Sequence, residues 1–359
     1  MLSAVTKKIA LPILTVLTAA SLGACGATPA GQQSSEAAPK PTANAAVTVE
    51  APKVEGTLHF YTSQPDKDAA ALIDAFTKKY PDVKVELFRS GTEEVISRLL
   101  AEAETNNVKA DVLLVADAPT FISLKKRDLL LPYQSKEADE IPDELKDADG
   151  TYYGTKIMST VLAVNTKNVT ELPDSWKVLT SPAAAEKGIM PSPLYSGAAA
   201  YNLGVLIRQE GFGWDYFQAL AANKVTVVKG NGAVLKSLAS GEKDYGMIVD
   251  YMVAQAKKEG SPVELVYPKE GVPVITEPIG ILKATQNAEA AKAFVDFVLS
   301  EEGQNVASSL GYTPIRKGVK APEGLKSIDQ LNVLSANPQE LEETREEDKK
   351  KFGEMIGGK

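Results

Sequence analysis

Hydroxyl-bearing residues and glycines stand just ahead of stretches with helical spacing at four separate points: Thr62-Ser63, Gly91-Thr92, Ser196-Gly197 and Asn231-Gly232. The first turn of a helix carries backbone N–H groups with no intrahelical partner, and the helix dipole favours negative charge there. Glycine lets the backbone approach a ligand closely, and a hydroxyl adds a donor. Residues of these types in these places suit an oxyanion. The same hydroxyls also serve as ordinary N-caps, so the convergence of several loops carries the reading, not any single residue. Asp250 and Glu277 add acceptors for ligand hydroxyls or an ammonium group. Tyr195 and Tyr251 add aromatic faces that either pack internally or stack on a sugar.

Other chemistries lack parts. The single histidine, His59, lies between Leu58 and Phe60 in an apolar, strand-like run. Hydrolytic metal sites and Ser-His-Asp systems need histidine in particular places, so His59 reads as a strand residue and neither a metal nor a cofactor is expected. No Gly-x-Ser-x-Gly elbow, Walker loop or His-Glu-x-x-His motif is present. Asp250 and Glu277 keep a weak cleft enzyme as an alternative class, because paired carboxylates can act as acid and base. A net charge of −8 argues against a nucleic-acid partner, which would need clustered Lys and Arg to displace counterions.

The single cysteine, Cys25, has a special setting. Lys7-Lys8 precede an apolar run over 9–20, and Ser21-Leu22-Gly23-Ala24 lead into Cys25. A basic start, an apolar stretch too short to span a bilayer comfortably and small residues before a cleavage point make a secretory signal. Leu22-Gly23-Ala24-Cys25 resembles the bacterial lipobox, which implies diacylglycerol on the Cys25 thiol and cleavage before it. The stretch after it, to about Val54, is rich in Ala, Pro, Ser and Thr and too polar to bury a core, so it reads as a tether.

These residues need elements to position them. A chain of 359 residues exceeds one ordinary core, so two lobes are expected. From Gly56 onward, short apolar runs alternate with amphipathic stretches, the pattern of an α/β protein. Strands are expected over 58–61, 83–88 and 111–115, with helices over 66–80 and from Thr92, which is read as a cap near a capping-box arrangement. The loops Tyr61-Thr62-Ser63-Gln64, Arg89-Ser90-Gly91-Thr92 and Ala116-Asp117-Ala118-Pro119 then fall at carboxyl ends of parallel strands, the edge where open α/β sheets bind ligands. A second α/β run covers 188–267, followed by helices over 287–299 and 301–310. The charged end, 340–351, reads as a helix with a solvated face and no chemistry.

At this point the chain resembles the periplasmic-type solute-binding proteins of bacterial ABC importers, in the branch of ferric-ion, thiamine, polyamine, sugar-phosphate and aminoethylphosphonate binders. The markers are Tyr61-Thr62-Ser63-Gln64, Ala110-Asp111-Val112, Val164-Asn165-Thr166-Lys167, Pro193-Leu194-Tyr195-Ser196-Gly197 and Ser300-Glu301-Glu302-Gly303-Gln304, in that order. The resemblance implies an α/β fold of two lobes with a hinge and an interlobe ligand cleft, strands crossing near 160–165 and 271–277, and ABC permease subunits as partners. The expected organisation is a signal peptide over 1–24, a lipidated tether over 25–54, lobe 1 from 55–159 and 272–315, lobe 2 from 160–271, and a charged C-terminal segment over 316–359. The expected location is the extracytoplasmic face of the cell membrane, through the lipid on Cys25.

The resemblance leaves two ligand classes. Iron-binding relatives carry two adjacent tyrosines after a strand, and the matching place is Asp250-Tyr251-Met252, with Met252 where the second phenolate would stand. Gln64 likewise occupies a loop where iron binders place a ligand. The donors at Thr62, Ser63, Gly91, Thr92, Ser196, Gly197, Asn231 and Gly232 favour a phosphorylated or phosphonate-bearing organic anion, with ferric iron as the alternative. A lipoprotein sensor built on the same cleft remains open as a third class.

Overall fold

The computed structural model describes residues 53–357. The signal segment, Cys25 and nearly all of the expected tether lie outside these residues. None of the described helices is long and apolar enough to cross a membrane.

The chain begins with β1 (Gly56–Thr62), α1 (Asp66–Lys79), β2 (Val83–Arg89), α2 (Thr92–Glu104), β3 (Val112–Leu114), α3 (Ala118–Lys126) and β4 (Leu130–Leu131). It continues through β5 (Tyr153–Asn165), β6 (Gly188–Pro191), α4 (Gly197–Leu206), α5 (Gly213–Ala222), β7 (Thr226–Val228), α6 (Asn231–Ser240), β8 (Tyr245–Val249), α7 (Asp250–Lys258) and β9 (Val263–Val266). The last elements are β10 (Val272–Leu282), α8 (Ala288–Leu299), α9 (Glu301–Ser309), β11 (Thr313–Pro314), β12 (Val333–Leu334) and α10 (Pro338–Gly357).

Local pattern accounts for most of these elements. Helix α1 presents Ala69, Leu72 and Phe76 to the interior, at the spacing of one helical face. Phe76 meets the rings of Phe294 and Phe297 on α8 at centroid distances of 4.9 and 5.6 Å. All three residues of β3 are buried, as a strand covered on both faces requires.

The main sheet path runs β2-β1-β3-β10-β5-β8-β6-β7. Strand β1 is parallel to β2 and β3, and β6 is parallel to β7 and β8. Long strands join these two parallel groups. Residues Tyr153 to Ser159 of β5 pair antiparallel with β10, whereas Thr160 to Val164 pair with β8. One strand therefore serves both halves of the fold, with the change of partner after Ser159. The register between β5 and β10 also shifts between Thr276 and Pro278, where proline has no N–H to give the ladder.

Burial follows the same division. One cluster gathers around Phe60, Phe76 and Phe294, a second around Leu99, Leu113 and Phe121, and the largest around Trp176, Phe217 and Ile248.

Two local expectations differ from the structure. Gly91 takes the N-cap position of α2 in an extended conformation and Thr92 is the first helical residue, so no capping box forms. Helix α10 is longer than the charged stretch implied and is no free solvated rod. Leu341 and Phe352 are buried along it, and Arg345 and Lys349 reach carboxylates on other elements. Charge count alone hid the apolar stripe, because acidic and basic residues fill the positions between Leu341 and Phe352.

Candidate functional site

A cavity of about 330 Å³ opens where the two parallel groups face each other. Its walls come from segments that follow strands. Ser63 follows β1, Gly91 and Thr92 follow β2, Ser196 and Gly197 follow β6, and Asn231 and Gly232 follow β7. Tyr251 lies in the first turn of α7 after β8, and Glu277 belongs to β10. The arrangement obeys the rule that open α/β sheets bind ligands at the carboxyl edge of their strands.

The helix starts of the two sides come close together. A Cβ on Gly197 would lie 2.7 Å from the Ala116 carbonyl and 2.8 Å from the Thr92 side chain, and one on Gly91 would lie 2.6 Å from the ring and carbonyl of Tyr195. Across the same seam, Glu93 N–H donates to the Tyr195 carbonyl at 3.3 Å and Lys229 pairs with Glu94 at 3.1 Å. The Lys229 ammonium also sits 4.4 Å from the centre of the Tyr195 ring. Glycine is needed at 91 and 197 because the backbones approach so closely, not because of their dihedral angles.

Two cations, Arg89 and Lys229, line the cavity together with the starts of α2, α4 and α6. Arg89 is oriented by donating from Nε to the Gln64 carbonyl at 2.7 Å. The sequence reading passed over both residues. Arg89 is the last residue of β2 and Lys229 the first after β7, and a cation at the carboxyl end of a strand was the signal available. Some expected donors have structural duties as well. Ser196 Oγ accepts from Ala199 N–H at 3.3 Å as the cap of α4, and Asn231 Oδ1 accepts from Val249 N–H at 3.3 Å.

At the floor, Tyr251 stacks on Tyr312 with ring centroids 4.0 Å apart. Their hydroxyls are 2.9 Å apart, and Tyr312 lies 2.7 Å from Asp68 Oδ2. Burial, with neighbouring carboxylates, pushes both phenols well above their ordinary range, so both are neutral. Lys156 and Glu277, both almost wholly buried, form an ion pair at 2.7 Å beneath them.

Four expected site residues do not line this cavity, each for a visible reason. Thr62 is fully buried and donates its hydroxyl to the Leu114 carbonyl at 2.7 Å, tying β1 to β3. Gln64 faces a separate internal cavity of about 20 Å³. Asp117 caps α3, accepting from Thr120 N–H at 3.0 Å, and its other oxygen is held by Arg345 at 3.0 Å. Asp250 turns inward and accepts from the Ser159 and Tyr251 N–H groups at 3.1 and 2.8 Å. Burial pushes its carboxyl up to about 6. Among the described residues no cluster of three or more His, Cys, Asp or Glu side chains is arranged to hold a metal ion.

Comparison with known proteins places these features in context. The family described as bacterial extracellular solute-binding protein matches residues 71–332. An uncharacterized protein of Haemophilus influenzae is 31% identical over 268 residues, covering 72% of this chain and 77% of its own length. The periplasmic binding protein AfuA of Actinobacillus pleuropneumoniae, solved with fructose-6-phosphate bound, superposes with a TM-score of 0.78 at 25% identity, over 84% of this chain and 98% of that one. Iron-bound HitA of Pseudomonas aeruginosa superposes with a TM-score of 0.73 at 26% identity, over 83% and 99%.

Proposed function

Because the chain belongs to the bacterial extracellular solute-binding protein family, whose members serve ABC importers as capture subunits, we propose that its cleft holds an organic anion bearing a phosphate or phosphonate group. The observation that carries this reading is the meeting of three helix starts, those of α2, α4 and α6, around a cavity that Arg89 and Lys229 also line. Unpaired N–H groups and positive dipole ends from three helices, with two cations beside them, stabilise an oxyanion far better than a metal cation.

Ferric iron is the second reading, and Tyr251 is the residue that favours it. Against it, the Tyr251 hydroxyl is engaged by Tyr312 at 2.9 Å and its neighbour is Met252, which offers no oxygen. Calorimetric titration of the detergent-solubilised full chain separates the two. Heat with fructose-6-phosphate or an alkylphosphonate is expected; heat with ferric citrate alone would reject the anion.

The proposed working parts are lobe 1 over 55–159 and 272–315, lobe 2 over 160–271, and a hinge where β5 changes partner after Ser159. Closure on the ligand would present a docking shape to the permease. The protein binds its solute and releases it unchanged, so the ligand recovered after incubation should be intact. Attachment through a lipid on Cys25 would hold the body at the membrane. Radiolabelled palmitate should enter the wild-type chain, and Cys25→Ala should abolish that labelling; equal labelling of both would reject the anchor.

A further inference from the structure

The two proposed lobes touch at the floor of the cleft as well as at its mouth. Tyr251, in the first turn of α7, falls in lobe 2, whereas Tyr312, in the turn between α9 and β11, and Asp68, on α1, fall in lobe 1. The two rings stack with centroids 4.0 Å apart and 30° between their planes. A neutral phenol has one proton to give, so Tyr312 gives its own to Asp68 Oδ2 at 2.7 Å and accepts the one from Tyr251 at 2.9 Å. Tyr251 lines the cavity of the cleft and Tyr312 does not.

Both rings are anchored to β5, on either side of the point where it changes partner. Thr313, next to Tyr312, pairs with Ile157. The Asp250 carboxylate, next to Tyr251, accepts from the Ser159 N–H at 3.1 Å, and Val249 pairs with Thr160. Rotation of the lobes about that point therefore changes the separation of the rings directly. Hydrogen bonds weaken beyond about 3.2 Å, so a spacing of 2.9 Å leaves little slack and the chain of hydroxyls closes at one hinge angle. Two phenylalanines would fill the same floor with no polar group to satisfy. Asp68 and Tyr312 are instead almost wholly buried polar groups, whose desolvation is offset only while every member is paired.

We propose that Tyr312, held by Asp68, is a positioning residue for solute binding: it fixes the hinge angle through Tyr251 and so sets the floor of the cleft without touching the solute. This rests on the hinge reading above and not on the charge of the solute.

Calorimetry of the full chain with fructose-6-phosphate, well below the thermal midpoint, reads the effect on binding. Tyr312→Phe keeps the stack and removes the hydroxyl, and it should weaken affinity about tenfold, the range of a hydrogen bond to a charged group. Asp68→Ala should weaken it similarly, and the double variant no more than either alone, because Asp68 acts through Tyr312. A merely structural role lowers the midpoint and leaves the affinity of the folded protein unchanged. That result, or losses that add in the double variant, overturns the proposal.

The distance between the lobes gives a readout that needs no ligand. Spin labels at Lys84→Cys in β2 and Lys187→Cys just before β6, both exposed, report the hinge angle in a Cys25→Ala chain, which holds no other thiol. A narrow distribution is expected with Tyr312 and a broader, longer one with Tyr312→Phe; identical distributions overturn the proposal. Should the wild-type chain give no heat with fructose-6-phosphate but heat with ferric citrate, the anion reading fails and the distances alone decide the role of Tyr312. Should Tyr312→Phe fail to fold, Asp68→Ala takes its place in both measurements under the same criteria.

Discussion

Arg345 Nη1 lies 3.0 Å from Asp117 Oδ2, joining the last helix of the chain to the cap of α3 across 228 positions of sequence. The same guanidinium donates to Glu93 at 2.7 Å, and Lys349 donates to the other oxygen of Glu93 at 2.6 Å. On its other side α10 holds Arg208 of the segment after α4 through Glu340 and Asp348, and packs Phe352 against Phe217. The helix thus contacts elements of both parallel groups beside the cleft.

Removing Arg345 should be expensive. Asp117 is fully buried and Glu93 mostly so; burial of the guanidinium works against its charge, and these two carboxylates outweigh that and keep it firmly protonated. Arg345→Ala leaves the buried Asp117 without its cation and Glu93 with Lys349 alone, and the expected loss is about 3 kcal/mol or more in denaturant unfolding, the range for breaking a buried pair from one side. An unchanged midpoint would show that solvent reaches Asp117.

Asp250 predicts a pH dependence of known sign. Its folded carboxyl is raised to about 6 by burial, above the ordinary 3.8. The native state therefore holds this proton more tightly than the unfolded state does. Below about pH 4 the group costs nothing; as pH rises from about 4 through 6 its ionisation lowers stability, and the full cost applies above that. Asp250→Asn keeps an oxygen for the Ser159 and Tyr251 N–H groups and should flatten this slope, raising stability at pH 7 by on the order of 2 kcal/mol. Thermal midpoints across pH 4 to 8 check it, and parallel curves for the two proteins would refute it.

Gly91 and Gly197 should act on closure and leave folding nearly intact. A methyl at 91 meets the Tyr195 backbone at 2.6 Å, and one at 197 meets the Ala116 carbonyl at 2.7 Å, so neither fits without separating the two sides. Gly91→Ala is expected to weaken ligand binding about tenfold or more while the thermal midpoint moves little, and to raise the radius of gyration in small-angle scattering. Loss of midpoint without loss of affinity would show that the glycine serves folding instead.

Arg89 and Lys229 should set the salt dependence of binding. Lys229 is largely exposed, so water and salt screen its attraction for an anion. Lys229→Ala should weaken the affinity for a phosphonate about threefold at low salt and less at 0.5 M NaCl, whereas Arg89→Ala should cost more, because it also frees the Gln64 carbonyl. Equal losses at both salt levels would exclude a through-space charge effect.

Local chemistry made much of the architecture legible in advance. The bounds of β2, α1, α8 and α9 agree to within a residue with the runs that announced them, because each is dictated by periodicity and by the residues that end it. The loops that follow strands were also readable, and with them Ser63, Gly91, Thr92, Ser196, Gly197, Asn231 and Gly232. What one stretch of chain does for itself can be read from that stretch.

Facing is a different matter. Asp250 and Tyr251 are neighbours in sequence, yet one carboxylate turns to the Ser159 backbone and one phenol turns to the cleft, since β5 passes beside the start of α7 on one side only. Asp117 looked like a ligand until a helix more than two hundred residues later brought Arg345 to it. Residue types and spacings determined which groups could bind an anion and that strands would end beneath them. Only the tertiary structure decided which of those groups are already spent, because the partners that satisfy a buried carboxylate or phenol come from distant segments that no local pattern encodes.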